Sequence, residues 1–211
     1  ESQYRLEGFT EASVGTPVVT TRADGTMNVN FPIVEGPQTL VTVVEVQGLE
    51  QVERNDLPEL LLAPGEPLNP QALREDIVAL QTFYANRGNP EVQITSNQEI
   101  SEDKTASRVT YVVAEGPRVD VGEVVVRGNT YTNSEVVLRT ADLEPGEPFT
   151  YGSILEAQQN LYRLGTFQRV DVQPETSGTS VDERSVVISV EEGRNLTVSG
   201  SAGAPFDSSS A

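Results

Sequence analysis

Apolar residues along this chain change their period in a fixed order, and the order occurs twice. Residues 40–46 (LVTVVEV) are rich in β-branched side chains and stop at Gly48, which predicts a strand. A short helix is expected over about 55–62, with Leu57, Leu60 and Leu61 turned inward, before Pro64, Gly65 and Pro67 break it. Asn69 before Pro70 is an N-cap and first-turn signature, and Leu73, Ile77, Leu80 and Tyr84 share one face of the helix that follows. That helix is expected to run to about Arg87 and end at Gly88. Residues 91–95 alternate in the manner of a half-buried strand, a polar loop spans 96–107, and 108–114 supply a last strand. The predicted order is β-α-α-β-β.

The same order follows downstream. Residues 121–127 read as a strand, and Asn133 or Ser134 caps a helix through Thr140. Thr150 caps a second helix on which Ile154, Ala157, Leu161 and Leu164 share a face before Gly165, and 167–173 with 185–190 form the closing hairpin. Landmarks keep step with the pattern. LAPGEPL at 62–68 returns as LEPGEPF at 143–149, 81 residues on; EGP at 35–37 returns at 115–117, followed by EEG at 191–193. Gly48 recurs as Gly128 and Gly88 as Gly165. The interval from the PGEP glycine to the glycine after the second helix is 23 positions in one copy and 19 in the other. That difference is about one helical turn, which preserves the buried face.

A period near 80 means a tandem array of small folding units. Residues 4–9 (YRLEGF) resemble 162–167 (YRLGTF), and ADGT at 23–26 reads as a hairpin turn, so the chain starts within a unit and reads as a fragment of a longer protein. The expected division is 1–37 as the C-terminal remnant of one unit, 38–117 and 118–193 as complete units, and 194–211 as a tail. Each unit is then an α+β module, a three-stranded sheet with two helices packed on one face.

Composition narrows the function. The 211 residues carry a formal net charge of -18 with no histidine and no cysteine. Phosphate backbones would be repelled, which argues against nucleic acid as a partner. Neither a disulfide frame nor a thiolate metal site is available, and the redox compartment stays open, compatible with a bacterial periplasm. No apolar run reaches the length of a membrane helix. A general base would have to be a carboxylate, Lys or Tyr, and no acidic pair recurs at matching positions in both units, so an enzyme is not expected, nor a cofactor. Glu102 with Asp103 and Asp182 with Glu183 lie in the two hairpin loops, where solvated charge is the ordinary explanation and no metal site is expected. Glu66 and Glu147 recur inside PGEP, as caps of the following helix or as turn hydrogen bonds. The stretch at 200–203 lacks the Lys and Ser or Thr of a phosphate loop, and the sequon at 195–197 reads as chance.

VVVRGN at 124–129, PGEPF at 145–149, LYRLGTFQRVDV at 161–172 and VVISVEEG at 186–193, in order and in tandem, resemble the POTRA domain. This is the periplasmic repeat of outer-membrane assembly proteins typified by BamA and TamA. The resemblance covers nearly the whole chain. It implies a location at the periplasmic face of the bacterial outer membrane, unfolded outer-membrane proteins as clients, and periplasmic lipoprotein subunits as partners. It also implies that the last unit leads into a transmembrane barrel. RNLTVSGSAGAPFD at 194–207 resembles such a junction, although Pro205 and the serines at 208–210 depart from a barrel strand, leaving a linker as the other reading. A TamA-type translocation protein, a two-partner secretion pore and a division-type module without a barrel would use the same units.

The resemblance further implies that the second strand of each unit lies at a sheet edge. Exposed edges offer backbone N–H and C=O groups to which an extended peptide can add as an extra strand. The candidate peptide-binding residues are Glu91, Val92, Gln93, Ile94 and Thr95 in one unit. In the next they are Phe167, Gln168, Arg169, Val170, Asp171, Val172 and Gln173.

Overall fold

The computed structural model describes residues 1–175 and 181–193. The expected junction at 194–207, with the sequon and the glycine stretch inside it, lies outside the described residues. The chain opens with helix α1 (Ser2–Leu6) and the short strands β1 (Ser13–Val14), β2 (Val18–Thr21), β3 (Met27–Asn30) and β4 (Ile33–Val34). β2 and β3 pair antiparallel around the expected turn. There the Asp24 carboxylate accepts hydrogen bonds from the Thr26 amide (3.0 Å) and hydroxyl (2.6 Å), and Gly25 takes φ +82°.

Two larger sheets follow, each with its own core. The first is made by β5 (Leu40–Gln47), β6 (Gln93–Ile100) and β7 (Ala106–Ala114), with helix α2 (Pro70–Ala85) packed across one face. The second is made by β8 (Asp120–Arg127), β9 (Phe167–Pro174) and β10 (Glu183–Glu192), covered by α3 (Ser134–Ala141) and α4 (Tyr151–Arg163). Strand order is β5-β7-β6 and β8-β10-β9. The first and third strands of each sheet run parallel and the second pairs antiparallel with the third, so both sheets are mixed. Asn69 caps α2 through the Gln71 and Ala72 amides, and Thr150 caps α4 through the Ser153 amide, as the sequence predicts. Leu80, Tyr84 and Val109 are fully buried in one core, and Phe149, Leu161 and Ile188 in the other.

The helix expected over 55–62 does not form. The chain makes only a 3-10 turn at Arg54–Asp56, and Leu57 leaves it extended at φ -65°, ψ 151°. Pro58 is the physical reason, because its ring excludes the residue before it from the helical region. Of the leucines assigned inward, Leu57 and Leu60 are half-buried and Leu61 is exposed, while Leu62 is buried instead. The extended segment must satisfy its amides in another way, and buried Asp76 of α2 does this. Its carboxylate accepts from the Leu61 (2.6 Å) and Leu62 (3.1 Å) amides and from the Tyr111 hydroxyl (2.7 Å). At the matching places of the next unit, where α3 does form, stand Ala157 and Ile188.

Three further expectations shift. Leu164 is 43 % exposed, because α4 ends at Arg163 and Leu164 lies one residue past the packed face. The polar stretch at 96–107 is mostly not loop, since β6 continues to Ile100 and β7 starts at Ala106. Glu66 and Glu147 engage through their backbones, and their side chains cap neither helix.

Asp76→Ala leaves two amides and a phenol without their acceptor in a buried setting. It is expected to cost about 3 kcal/mol, measured by urea unfolding of the chain, with Asp76→Asn losing less. A loss below about 0.5 kcal/mol would show that the segment at 59–62 finds other partners.

Candidate peptide-binding edges

Each three-stranded sheet has two edges, and the PGEP turn closes part of one. The Val41 amide donates to the Glu66 carbonyl (2.8 Å), Gly65 donates to Val41 (2.8 Å) and Leu68 to Thr39 (2.9 Å). The next unit repeats the set with Val121 to Glu147 (2.7 Å), Gly146 to Val121 (2.7 Å) and Phe149 to Val119 (2.9 Å). The start of each first strand is thereby paired on its outer side. Among the described residues no strand lies outside β6 or β9, so the second strand of each unit forms the other edge.

A glycine shows which way the edge groups point. Gly48 sits at φ +83°, and a Cβ there would run into the Val113 carbonyl, which therefore faces the β5 side of β7. Val113 is the register partner of Ile94, so this pair is one that does not exchange hydrogen bonds. The N–H and C=O groups of Ile94, and by alternation those of Ser96, Gln98 and Ile100, point away from the sheet. Gly128 meets the Val190 carbonyl in the same way, which turns the polar groups of its register partner Val170, and then Val172, outward.

Of the residues expected at the edges, Gln93, Ile94 and Thr95 lie on β6, and all of Phe167, Gln168, Arg169, Val170, Asp171, Val172 and Gln173 lie on β9. Glu91 and Val92 precede β6. Glu91 instead holds Arg184 of the next unit at 2.9 Å. Sequence reasoning missed the outer half of the edge, Ser96 to Ile100. Ser96 to Glu99 are polar and gave no hydrophobic alternation leading up to Ile100, and only the ladder to Ser107–Tyr111 makes the stretch a strand. On β9, Val170 and Val172 are buried toward the helices while Arg169, Asp171 and Gln173 are exposed. The Val170 backbone is engaged by α4: its amide donates to the Tyr162 hydroxyl (3.2 Å). Its carbonyl accepts from that hydroxyl (3.2 Å) and from Gln158 Nε2 (3.0 Å).

Carboxylates at the end of each third strand hold the loop after the first strand. Glu115 accepts from the Glu50 (3.0 Å) and Gln51 (2.8 Å) amides and from the Tyr84 hydroxyl (2.9 Å). Glu192 accepts from the amides of Thr130 (3.2 Å), Tyr131 (2.8 Å) and Thr132 (2.7 Å). Desolvation would lift the Glu192 carboxyl, but the hydrogen bonds from Thr132, Tyr131 and Thr130 outweigh it and hold the group below its ordinary range. Desolvation first, then the neighbouring carboxylate, keeps Tyr84 beside Glu115 and Tyr111 beside Asp76 protonated well above the usual phenol range. These acids and phenols serve as structural acceptors and donors. Among the described residues, no group of three or more Asp or Glu is placed to hold a metal ion, and no helix is long and apolar enough to cross a membrane.

Two mixed sheets with the second strand outermost, joined in tandem, define a repeat module of the α+β class. A family profile described as POTRA, surface antigen variable number repeat, matches residues 40–116 and 119–193, and the chain belongs to that family. It is 27 % identical over 171 residues to the outer membrane protein assembly factor BamA of Nitratidesulfovibrio vulgaris, covering 79 % of this chain and 22 % of that protein. It is 25 % identical over 202 residues to BamA of Neisseria meningitidis serogroup B, covering 87 % and 25 % respectively. The chain thus spans about a quarter of the length of these curated relatives. Among solved structures, the BamA POTRA3-5 fragment of Haemophilus influenzae aligns with a TM-score of 0.57 at 21 % identity, covering 90 % of this chain and 76 % of that one. BamA of Haemophilus ducreyi lacking POTRA domains 1-3 aligns at 0.58 and 14 % identity, covering 74 % and 29 %. These two likenesses support the fold.

Because the folded Glu192 carboxyl titrates below its unfolded value of 4.5, its contribution is complete above that pH and is lost as pH falls through the lower folded value. Acid titration followed by NMR should therefore move the amides of Thr130, Tyr131 and Thr132 together, below pH 4.5. Glu192→Gln should abolish that transition.

Proposed function

We propose that this chain is the periplasmic POTRA region of an outer-membrane assembly factor. It takes up unfolded outer-membrane polypeptides by strand addition along the outer edges of β6 and β9, and it scaffolds periplasmic lipoprotein subunits beneath a barrel carried elsewhere in the parent protein. The role is non-enzymatic. The observation that carries it is the row of outward backbone groups at Ile94, Ser96, Gln98 and Ile100, on a strand that no other strand covers among the described residues. Backbone pairing tolerates any client sequence, while the alternation of buried and exposed positions from Val170 to Gln173 on β9 favours clients that alternate too. Barrel strands have that alternation. The names of the relatives, assembly factors of the outer membrane, agree with this reading.

Titration of the chain with peptides copied from terminal strands of outer-membrane barrel proteins should shift the amides along Gln93–Ile100. Gln98→Pro removes an outward donor while leaving the ladder to β7 intact, and it is expected to weaken binding at β6 about tenfold with stability changed by less than about 1 kcal/mol. Amide shifts confined to the helices, or undiminished in Gln98→Pro, would speak against strand addition.

A further inference from the structure

The two edges have the same topology but different neighbours. Counting from the helix caps Asn69 and Thr150, the buried Leu73 and Leu80 of α2 match Ile154 and Leu161 of α4, so Ile77 matches Gln158 and Gln81 matches Tyr162. In the second sheet, Gln158 and Tyr162 reach the outward polar groups of Val170, the middle of the β9 edge. In the first sheet, Ile77 has no polar group to offer, and Gln81 makes no hydrogen bond to Ile94, the position that matches Val170. A phenol hydroxyl that both accepts from the N–H and donates to the C=O of one residue occupies the two groups through which an added strand would pair.

We propose that Tyr162 and Gln158 form a latch over the β9 edge, so that the β6 edge is open to an extended polypeptide while the β9 edge accepts one only after Tyr162 swings away. This rests on the strand-addition reading and deepens it, because it orders the two sites. The latch can open without unfolding the module. Tyr162 is 44 % exposed, lies outside the buried core, and borders an open hollow of about 690 Å³ flanked by Arg169, Asp171 and Glu191. A released ring therefore has room beside the strand. An incoming strand offers Val170 one N–H and one C=O in exchange for the Tyr162 hydroxyl and the Gln158 side-chain amide, so its net gain at that point is small. On β6 the same two bonds replace bonds to water only, and nothing of the protein has to move.

Hydrogen exchange on the whole chain tests the latch without any ligand. The Val170 amide should exchange at least tenfold more slowly than the Ile94 amide, and Tyr162→Phe should speed Val170 by about tenfold while leaving Ile94 unchanged. Equal rates for the two amides in the unaltered chain would overturn the latch. Gating is then read by titrating a synthetic peptide of alternating valine and threonine with a terminal lysine. The unaltered chain should shift amides along β6, with at least tenfold weaker effects along β9. The double variant Tyr162→Ala, Gln158→Ala should bring β9 to within about threefold of β6. Binding at β6 with no gain at β9 in the double variant overturns the latch and leaves strand addition intact. Absence of binding at β6 in the unaltered chain overturns strand addition itself, and the gating with it.

Discussion

The parallel pairing of the first strand with the third is the constraint on which the rest of each unit depends. A parallel neighbour cannot be reached by a tight turn, so the chain must cross over one face before it returns, and that crossover is where the helices lie. With the third strand in the middle, the second has nowhere to go but the rim. The PGEP turn then covers the outer side of the first strand's opening residues, and among the described residues no strand lies against the outer side of the second. The surface proposed to bind clients is therefore a by-product of strand order. No particular side chain creates it, which suits the strand addition proposed above.

The glycines and acids that keep the repeat in step serve this pairing. Gly48 and Gly128 take a positive φ and lie against the carbonyls of Val113 and Val190, where any side chain would push the first strand off the third. Glu115 and Glu192, at the far end of the third strand, gather the amides of the loops those glycines begin. Adjacent units are stitched in an equally repetitive way. The Gly8 carbonyl accepts from the Thr39 amide at 2.9 Å, and the Gly88 carbonyl accepts from the Val119 amide at 2.7 Å. The glycine that ends one unit's helix thus meets the first strand of the next, and the Arg184 to Glu91 pair adds a charged contact across the second of these junctions.

Within this frame the two units have diverged by compensation. Pro58 removes a helix, and Asp76, itself held by the Tyr111 hydroxyl, accepts from the Leu61 and Leu62 amides that the lost helix would have satisfied internally. Where Ala157 and Ile188 stand instead, no such acceptor is needed because α3 satisfies its own amides. Asp76 is buried, a choice that makes sense only with all three donors in place. The same kind of divergence separates Ile77 and Gln81 from Gln158 and Tyr162. It changes what the helix does to the neighbouring edge: Ile77 packs against its core, while Gln158 and Tyr162 bond the strand.

Much of this was legible in the residues. The repeat, the caps at Asn69 and Thr150, the inward faces of α2 and α4, and the β-branched first strands all follow from local rules of period, capping and propensity. So did the exclusion of cysteine and histidine chemistry. What stayed hidden was decided between elements distant in sequence. Ser96 to Ile100 became a strand because Ser107–Tyr111 offered a ladder, and side-chain polarity is silent about that. Asp76 gave no signal of its own in the sequence, because its partners Leu61, Leu62 and Tyr111 meet it only in the fold. The sequence by itself determined the unit and its repetition, because these rest on interactions within a few residues. Only the tertiary structure decided which edge groups face outward and which are taken by Tyr162 and Gln158, because backbone direction at an edge depends on register across the sheet.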